Sequence, residues 1–411
     1  MIARGLGRSY GDQAQNAGGL VLDMTAADDI GSFDPETGLV TADAGVSLEA
    51  LMTLLVPAGW FIPVSPGTRH VTVGGAIAAD IHGKNHHVDG SWCRHVRSLR
   101  LKLPGGEVLG LTPETDAELF WATAGGMGLT GVILDATFQA AAIESDRLVV
   151  DTDRAGDLDE VMSLMERDDA DYRFSVAWID LLASGAATGR SVLTRGRFAR
   201  RDDLPDRLRR REPAYRPRAV ATAPDLVPSG LLNARTIAAF NELWFRKAPR
   251  RRRDELQSIT AFFHPLDLVE AWNRLYGRRG LLQWQVVIPF GREEVLRGAV
   301  EALSTEGVAS FLAVLKRFGP SDPGHLSFPL EGWTLALDLP AGDPRLSPLL
   351  DRLDEQVAEA GGRVYLAKDS RMRPELVPAM YPRLDEWREV CDRADPERRL
   401  RSDLDRRLGL R

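Results

Sequence analysis

The sequence predicts an α+β protein with two domains and a short C-terminal segment. Residues 1–141 are rich in glycine, alanine and valine, and short strand-like runs there are broken by glycine. Composition changes after Gln139, where longer strands and helices begin. The chain ends in a charged helical pattern that follows the run YLAKDS. We therefore expect domains at 1–141 and 142–362, followed by a segment at 363–411.

Short strands and one helix are expected in the first domain. The strand-like runs cover residues 19–23, 39–44 and 131–134. A helix is predicted over 47–59, because Ser47 is a good N-cap and apolar residues follow at helical spacing. Those apolar residues are Leu48, Leu51, Met52 and Leu55.

The second domain has longer elements and two basic stretches. A strand is predicted at 283–289 and a helix at 293–303. Arginine is concentrated at 195–211 and 246–253. The simpler interpretation of these stretches is a solvated surface loop. The alternative is contact with an anionic lipid or a polyprenyl phosphate head group.

Charge and cysteine content exclude several classes of protein. The 411 residues carry 59 acidic and 52 basic side chains, a net charge of -7, which argues against nucleic acid as the main partner. Two cysteines, Cys93 and Cys391, cannot build a disulfide framework. No apolar run reaches the length of a membrane helix, and the first residues lack the apolar stretch of a signal peptide.

Three glycine-rich loops carry the strongest functional signal. In residues 4–12, glycines permit positive φ and an anion-binding nest of N–H groups, although a glycine-rich hairpin would look the same. In residues 66–83, a helix start almost bare of side chains could seat a diphosphate, and the simpler alternative is a tightly packed small-residue helix. Residues 118–132 form the third loop. Together they indicate one extended dinucleotide lying across all three.

These loops resemble the FAD-binding domain of the vanillyl-alcohol oxidase superfamily, the PCMH-type fold. Within it the chain is most similar to the decaprenylphosphoryl-β-D-ribose 2'-oxidase family, the flavin subunit of the epimerase that makes decaprenylphosphoryl arabinose for the cell wall. The resemblance runs from residue 2 to the C-terminus. It is carried by the stretches ARGLGRSYGDQAQNAGGLVLDMT, VSPGTRHVTVGGAIAADIHGKNHH, DAELFWATAGGMGLTGVI, FFHPLD, WNRLYG, LQWQVVIP, LSFPLEGW, YLAKDSR and MYPRLDEW.

The resemblance implies a fold, a reaction and partners. The fold would be a two-domain PCMH-type one with an antiparallel-sheet substrate domain, to whose FAD domain residues 363–411 return. The reaction would be FAD-dependent oxidation of the ribose 2'-hydroxyl to a ketone. A sugar-alcohol or aldonolactone oxidase, and a flavin-binding protein without turnover, are the alternatives. The implied partners are the lipid-linked sugar, an NADH-dependent keto-reductase and the surface of the cytoplasmic membrane, on a side left open.

Site residues are carried over position by position. Lys368 and Tyr365 are the catalytic candidates, and the alternative for Lys368 is a structural lysine that pairs with Asp369 or another carboxylate. No histidine stands near Ser9, so non-covalent FAD is implied. The residues implied to bind it are Arg4, Gly5, Gly7, Arg8, Ser9, Tyr10, Gly11, Pro66, Gly67, Thr68, Val73, Gly74, Gly75, Ala78, His82, Gly83, Asn85, Gly125, Gly128, Gly131, Val132 and Tyr365. The residues implied to bind substrate are Lys84, Trp178, Gln283, Gln285, Lys316 and Ala336, with a core position as the alternative for Trp178. Lys84 and Lys316 would neutralise the substrate phosphate or hold flavin oxygens.

The chain departs from the family pattern in three places. Phe263 stands where tyrosine is usual, and Ala336 stands where the mycobacterial proteins have cysteine. The family has a βαβ unit before residue 3; a start site placed too far downstream is preferred here over a genuine truncation, because missing strands would leave sheet edges unpaired. His82, His86 and His87 suggest zinc, but the loop lacks further ligands at zinc spacing, so no metal is expected and His82 is placed under the flavin.

Overall fold

The computed structural model describes residues 1–217, 221–224, 233–310 and 312–411 as an α+β protein. The strands are β1 Ile2–Arg4, β2 Val21–Asp23, β3 Ile30–Phe33, β4 Leu39–Asp43, β5 Trp60–Phe61, β6 Val96–Lys102, β7 Val108–Leu111, β8 Val132–Gln139, β9 Ala141–Ala142, β10 Arg147–Ala155, β11 Phe174–Ile179, β12 Ser191–Phe198, β13 Ala221–Thr222, β14 Arg251–Ser258, β15 Val269–Glu270, β16 Leu281–Pro289, β17 Ala313–Phe318, β18 Gly332–Pro340 and β19 Arg363–Val364. The helices are α1 Leu48–Leu55, α2 Val73–Ala78, α3 His86–Asp89, α4 Ala117–Thr123, α5 Leu158–Asp168, α6 Asp206–Arg209, α7 Ala234–Lys247, α8 Ile259–Phe263, α9 Glu293–Thr305, α10 Leu346–Glu359, α11 Val377–Met380, α12 Leu384–Ala394 and α13 Asp403–Leu408.

The N-terminal part is built on an antiparallel sheet of five strands in the order β3-β4-β8-β6-β7. The strands predicted at 39–44 and 131–134 are confirmed as β4 and the start of β8, and the one at 19–23 as β2, which pairs in parallel with β1. Helix α1 begins after Ser47, whose side chain accepts from the Ala50 N–H as predicted. The helix ends at Leu55, and a 3₁₀ turn containing Pro57 follows it.

The second sheet has eight strands in the order β14-β10-β12-β11-β17-β18-β16-β19, and every pair in it is antiparallel. Helices α5, α9 and α10 supply apolar side chains to the same core as one face of this sheet. The predictions at 283–289 and 293–303 are confirmed as β16 and α9, each slightly longer than expected. An antiparallel sheet covered on one face leaves the other face for polar groups.

The C-terminal segment contacts both sheets' domains. Strand β19 pairs with β16 at the edge of the larger sheet. Further along, the Trp387 indole donates to the Ala122 carbonyl at 3.0 Å, and Arg407 pairs with Asp12 at 2.8 Å. These contacts bring residues 365–369 to the first loop. The boundaries at 141 and 362 stay predictions.

The start of the first basic stretch is not the solvated loop that its composition favoured, although most residues from 200 to 211 are exposed. Residues 191–198 form β12, and Arg195 is only 1% exposed. Its guanidinium donates to Asp153 at 2.9 Å and also pairs with Asp168. Buried charges persist when they are paired, so this interpretation was wrong for Arg195. Around the second stretch, Arg246 and Arg250 are exposed.

Candidate functional site

The first glycine-rich loop presents free backbone amides. No described residue offers an acceptor to the N–H groups of residues 5–9, whereas Tyr10 N–H donates to Ala367 O and Gly11 N–H donates to Gln13 Oε1, both at 3.1 Å. Gly7 has φ of +62°, a conformation that favours glycine. A series of unpaired N–H groups in such a turn forms a concave anion site. This geometry fits a phosphate group.

The helix start in the second loop is already satisfied by the protein. The N–H groups of Val73 and Gly74 donate to the carbonyls of Val46 and Ala44 at 2.9 and 2.8 Å. The Gly75 N–H donates to the Thr72 hydroxyl. The expectation that a diphosphate sits on these N–H groups is therefore wrong, and the alternative of a tightly packed small-residue helix describes α2.

The loop before α2 keeps free groups. Gly67 is exposed, and the space that a side chain there would occupy is open. The Thr68 hydroxyl donates to Asp267 at 2.9 Å, while no described residue accepts from the backbone N–H groups of Gly67 and Thr68. These two amides are the part of the second loop that can still hold an anion.

The third loop braces α2. Gly125 N–H donates to Ile77 O, and Met127 N–H donates to Ala78 O, at 3.0 and 2.9 Å. A side chain at Gly131 would collide with Leu101, so packing alone accounts for glycine there.

The remaining positions implied for FAD have varied surroundings. Arg4, Arg8 and Ser9 are exposed on the first loop. Gly5 leaves no room for a side chain beside Thr72. Gly128 has φ of +76° and is partly exposed, as Pro66 also is, whereas Val132 is buried and paired with Lys102. Gly83 approaches Ser65, and the Asn85 amide donates to Pro63 O and to Asp89, which makes both positions part of the loop's own scaffold.

The strand register aligns five of the six implied substrate residues, all except Lys84, on one face of the larger sheet. Trp178 lies opposite Val314, Val314 opposite Ala336, and Ala336 opposite Gln285, across four strands. Directly paired residues share a face, and so do residues two apart along a strand. Lys316 and Gln283 therefore belong to the same face. The partly exposed Trp178 lies on it too, which favours the pocket interpretation over the core one.

An aromatic cluster surrounds His82. Its ring lies 4.8 Å from Phe318, 5.5 Å from Phe328 and 5.1 Å from Tyr365. The Gln285 amide nitrogen lies 2.8 Å from His82 Nε2, so Nε2 accepts and the proton is assigned to Nδ1, for which no described residue is an acceptor. Burial, with the charge of Lys316, lowers the pKa of His82 far below its usual value. The neutral ring can thus donate from Nδ1 to a bound acceptor.

Tyr365 serves the scaffold rather than chemistry. Its hydroxyl donates to the Ala79 carbonyl at 2.8 Å, and its ring stacks on Phe328 at 4.6 Å. Burial raises its pKa well above the usual value. The catalytic role predicted for Tyr365 is not supported by this geometry, because its one proton is committed to the backbone.

Three lysines make the site strongly positive. Burial lowers the pKa of Lys84 to about 7, and the charge of Lys316 adds to that effect. Burial lowers the pKa of Lys316 to about 8, helped by the charge of Lys368. Lys84 Nζ donates to the Phe262 carbonyl and lies 4.4 Å from that ring's centre. Lys84 and Lys316 are desolvated, and no described carboxylate lies within ion-pair distance of either, so both favour an anionic ligand.

Lys368 lies over the first loop. Its Nζ is 4.0 Å from the centre of the Tyr10 ring. Burial lowers the pKa of Lys368 to about 8, while the charge of Asp338 acts in the opposite direction. Asp338 accepts from the Gln283 amide. The structure thus brings Tyr10, Gln283 and Lys368 together.

Sequence reasoning missed Asp338 and Thr334. Both lie two residues from Ala336 on β18, and Gln285 donates to the Thr334 hydroxyl at 3.2 Å. The period-two pattern of a strand was the signal that could have found them.

The rings of His86 and His87 make hydrogen-bond contacts within the protein. His86 Nδ1 accepts from Gly319 N–H, and His87 Nε2 lies 2.9 Å from Tyr172 O.

The free amides of the first loop, the unpaired proton of His82 and the surplus of lysines fit FAD together with an anionic substrate. Residues 1–112 match a family described as an FAD binding domain. The chain is 46% identical over 414 residues to the decaprenylphosphoryl-beta-D-ribose oxidase of Mycolicibacterium smegmatis, which covers 100% of this chain and 89% of that protein.

Two other matches bear on function. An uncharacterized protein of Streptomyces coelicolor is 44% identical over 89% of this chain and 100% of its own length. The L-gulono-1,4-lactone dehydrogenase of Mycobacterium tuberculosis is 33% identical over 34% of this chain and 32% of its own. The match to the lactone dehydrogenase covers a third of this chain. The matches to the oxidase and to the Streptomyces protein cover 100% and 89% of it.

Proposed function

Because the chain belongs to the decaprenylphosphoryl-β-D-ribose oxidase family, we propose that it catalyses FAD-dependent oxidation of the 2'-hydroxyl of decaprenylphosphoryl-β-D-ribose. The product is the 2'-keto sugar, the first half of epimerisation to the arabinose compound. The observation that carries this proposal is the single sheet face on which Trp178, Ala336 and Gln285 lie in register. Lys316 of the same face is near enough to Lys368 for the two charges to interact. A sugar seated there contacts one aromatic side chain and several hydrogen-bonding groups.

The chain's own residues handle the proton. As the substrate's C–H and O–H bonds break and a C=O bond forms, the neutral amine of Lys368 accepts the hydroxyl proton at Nζ. FAD held at the first-loop amides would supply the two-electron oxidant that takes up the hydride from the sugar carbon. With a pKa of about 8, Lys368 has an appreciable neutral fraction at neutral pH, which suits a general base. His82 donates from Nδ1 and orients an acceptor in the site.

Lys84 and Lys316 supply charge for the substrate phosphate. Both are held at low pKa by burial, so an arriving phosphate relieves an existing electrostatic cost. The first-loop amides and those of Gly67 and Thr68 are left for the FAD pyrophosphate.

The test is anaerobic bleaching of the flavin absorbance on addition of decaprenylphosphoryl ribose. We expect bleaching by the wild-type holoenzyme and none by Lys368→Ala, with FAD content measured separately in each. A wild-type enzyme that holds FAD and is not bleached contradicts the proposal. Full turnover by Lys368→Ala contradicts the role of Lys368.

A second candidate function is oxidation of an aldonolactone or sugar alcohol, favoured by the partial match to a lactone dehydrogenase. Such an enzyme would produce hydrogen peroxide from O₂ with soluble polyols or lactones. Peroxide formation with those substrates, and no bleaching by the lipid-linked sugar, would establish it instead.

Partners belong to this proposal as well. A keto sugar must be reduced to complete an epimerisation, and an NADH-dependent reductase is the partner we propose for that step. The polyprenyl tail requires access to a membrane surface. No helix in the described part of the chain is both long and apolar enough to span a bilayer.

Helix α7 is the element we propose for membrane contact. Leu243 is 68% exposed and Trp244 45% exposed, whereas Ile237 and Asn241 of the same helix are buried. A surface helix normally turns polar residues outward, so exposed large apolar side chains mark an interaction surface. The helix is fixed to the protein by Asn241, whose amide donates to Asp180 at 2.7 Å.

Positive charge follows the apolar face of α7. Lys247, Arg250 and Arg251 are exposed, and no carboxylate of the described chain lies within ion-pair distance of them. Apolar groups flanked by unpaired cations complement an anionic lipid surface, where each basic residue contributes about 1 kcal/mol. The occupant we propose is therefore an anionic bilayer.

Co-sedimentation with vesicles tests this surface. The wild-type protein should bind phosphatidylglycerol vesicles more strongly than phosphatidylcholine vesicles and lose that preference at high salt. The variant Leu243→Glu/Trp244→Glu should not bind. Leu54→Glu is the matched control, because Leu54 is 40% exposed on α1 and should leave binding unchanged. Equal binding by both variants, or salt-independent binding, would count against α7; concentration-dependent dimers without vesicles would identify a second copy of the chain as its partner.

A further inference from the structure

Asp338 is a buried acid that the proposed reaction does not use. It is 0% exposed and lies directly opposite Gln283 in the pairing of β18 with β16. One carboxylate oxygen accepts from the Gln283 amide, and no described residue donates to the other. A buried carboxylate with a single neutral donor is costly. Another group of the site must therefore stabilise the negative charge of Asp338.

The groups that face Asp338 come from four elements. Lys368 follows β19, and its charge lowers the pKa of Asp338, as the Gln283 hydrogen bond also does. Tyr10 of the first loop and Tyr276 of the turn before β16 both have their pKa raised by burial and by the charge of Asp338. Lys316 of β17 lies close enough to Lys368 for the charge of Lys368 to lower the pKa of Lys316.

A continuous set of contacts links Asp338 to Lys368. Gln283 donates to Asp338 and also interacts with the Tyr10 hydroxyl, which opposes the rise in that group's pKa. The Tyr10 ring in turn lies 4.0 Å from Lys368 Nζ. The carboxylate thus reaches the lysine by its charge and by the side chains between them.

We propose that Asp338 is a positioning residue that acts through Lys368: its negative charge sets the protonation of that amine, and through Gln283 it fixes Tyr10 beneath it. This inference rests on the proposed function and adds the residue that tunes its base. A hydrogen-bonding role alone does not require an acid, because asparagine would also accept from Gln283. Charge is the property that asparagine lacks.

The sign of the effect follows from the electrostatics. Burial raises the pKa of Asp338 to about 6, so the group is ionised at neutral pH. Its charge raises the pKa of Lys368, which burial lowers to about 8. Removing the charge lets the pKa of Lys368 fall further, so the neutral amine prevails at lower pH. A nearby charge shifts a pKa by roughly one to three units.

The experiment is the rate of anaerobic flavin bleaching by saturating decaprenylphosphoryl ribose between pH 5 and 10. For wild-type holoenzyme we expect the rate to rise mainly through the pKa of Lys368, near pH 8, with a smaller inflection near pH 6 where Asp338 ionises. For Asp338→Asn, and for Asp338→Ser as a second neutral variant, the rise should move to lower pH by about one unit. Asp338→Glu keeps the charge and should keep the wild-type position. FAD absorbance reports whether each variant still holds its cofactor.

The outcomes separate this inference from the proposed function. A wild-type enzyme that does not bleach contradicts the proposed function. A bleaching wild type whose rise is unmoved in a neutral variant overturns the role of Asp338. If both neutral variants lose FAD, the pH profile of the wild-type bleaching rate is the deciding measurement. Two inflections, near pH 6 for Asp338 and near pH 8 for Lys368, are expected, and a single inflection near pH 8 overturns the inference.

Discussion

Replacing Lys368 by methionine should abolish flavin reduction and yet stabilise the protein at neutral pH. Burial lowers the pKa of this lysine from 10.5 to about 8. At about 1.4 kcal/mol per pKa unit, keeping the ammonium in the folded protein costs at most about 3 kcal/mol. Methionine has a similar length and no charge. The value of about 8 already includes the attraction to Asp338, so we expect Lys368→Met to be more stable at pH 7 by up to about 3 kcal/mol.

The pH dependence makes this expectation specific. Because the folded-state pKa lies below the unfolded one, the cost is fully present below about pH 8 and disappears as pH rises through 10.5. Urea unfolding with equal excess FAD, at pH 7 and at pH 10, should show the advantage of Lys368→Met shrinking at the higher pH. Lys102→Met, at an exposed position of β6, is the control and should change stability by less than about 0.5 kcal/mol. Lower stability of Lys368→Met at pH 7, or the same advantage at both pH values, would refute the reasoning.

Three further substitutions test particular contacts. Ala336→Cys should create a thiol on the substrate face that a thiol-directed electrophile labels in a 1:1 ratio. The wild-type protein should stay unlabelled, because Cys93 and Cys391 are buried and burial raises the pKa of both thiols. Labelling of the wild-type protein at the same rate would contradict this expectation. Arg195→Met should lower the free energy of unfolding by about 1.5 to 3 kcal/mol, because it removes the bonds of a buried guanidinium, while Asp153 and Asp168 keep Arg253 and Arg167 as partners. A urea-measured loss below about 1 kcal/mol would argue that these bonds are dispensable. Gly7→Val places a β-branched residue at φ of +62° and should weaken FAD binding about tenfold or more in a fluorescence titration. An unchanged Kd for FAD would exclude the first-loop amides as its binding site.

Local signals in the sequence predicted individual elements well. Ser47 and the apolar spacing after it define α1, since capping and periodicity act within one or two turns. The strand at 283–289 also follows from its own residues. Its end at Leu281 depends on pairing with Pro340, which lies 59 residues away and is invisible to a local pattern.

The candidate site was less accessible to the sequence, for a physical reason. Small residues in 72–78 predict backbone close to something, but not whether that something is a ligand or another part of the chain. Here Ala44 and Val46 fill the role predicted for phosphate oxygens. The opposite holds for residues 5–9, where a weaker glycine signal precedes amides that the protein leaves free. Only tertiary contacts distinguish the two cases.

Buried polar groups without a full set of partners are concentrated on one face of the larger sheet, and this explains why we place the reaction there. Trp333 and Leu335 of β18 enter the apolar core, and alternation turns Thr334, Ala336 and Asp338 the other way. There the protein holds an acid, amides and three lysines in partial desolvation, an arrangement that lowers stability unless a ligand completes it. Apolar side chains along this face of β18 would have stabilised the fold without the desolvation of charged groups. The unfavourable charges are therefore best explained by the anionic sugar substrate and the proton that must leave it.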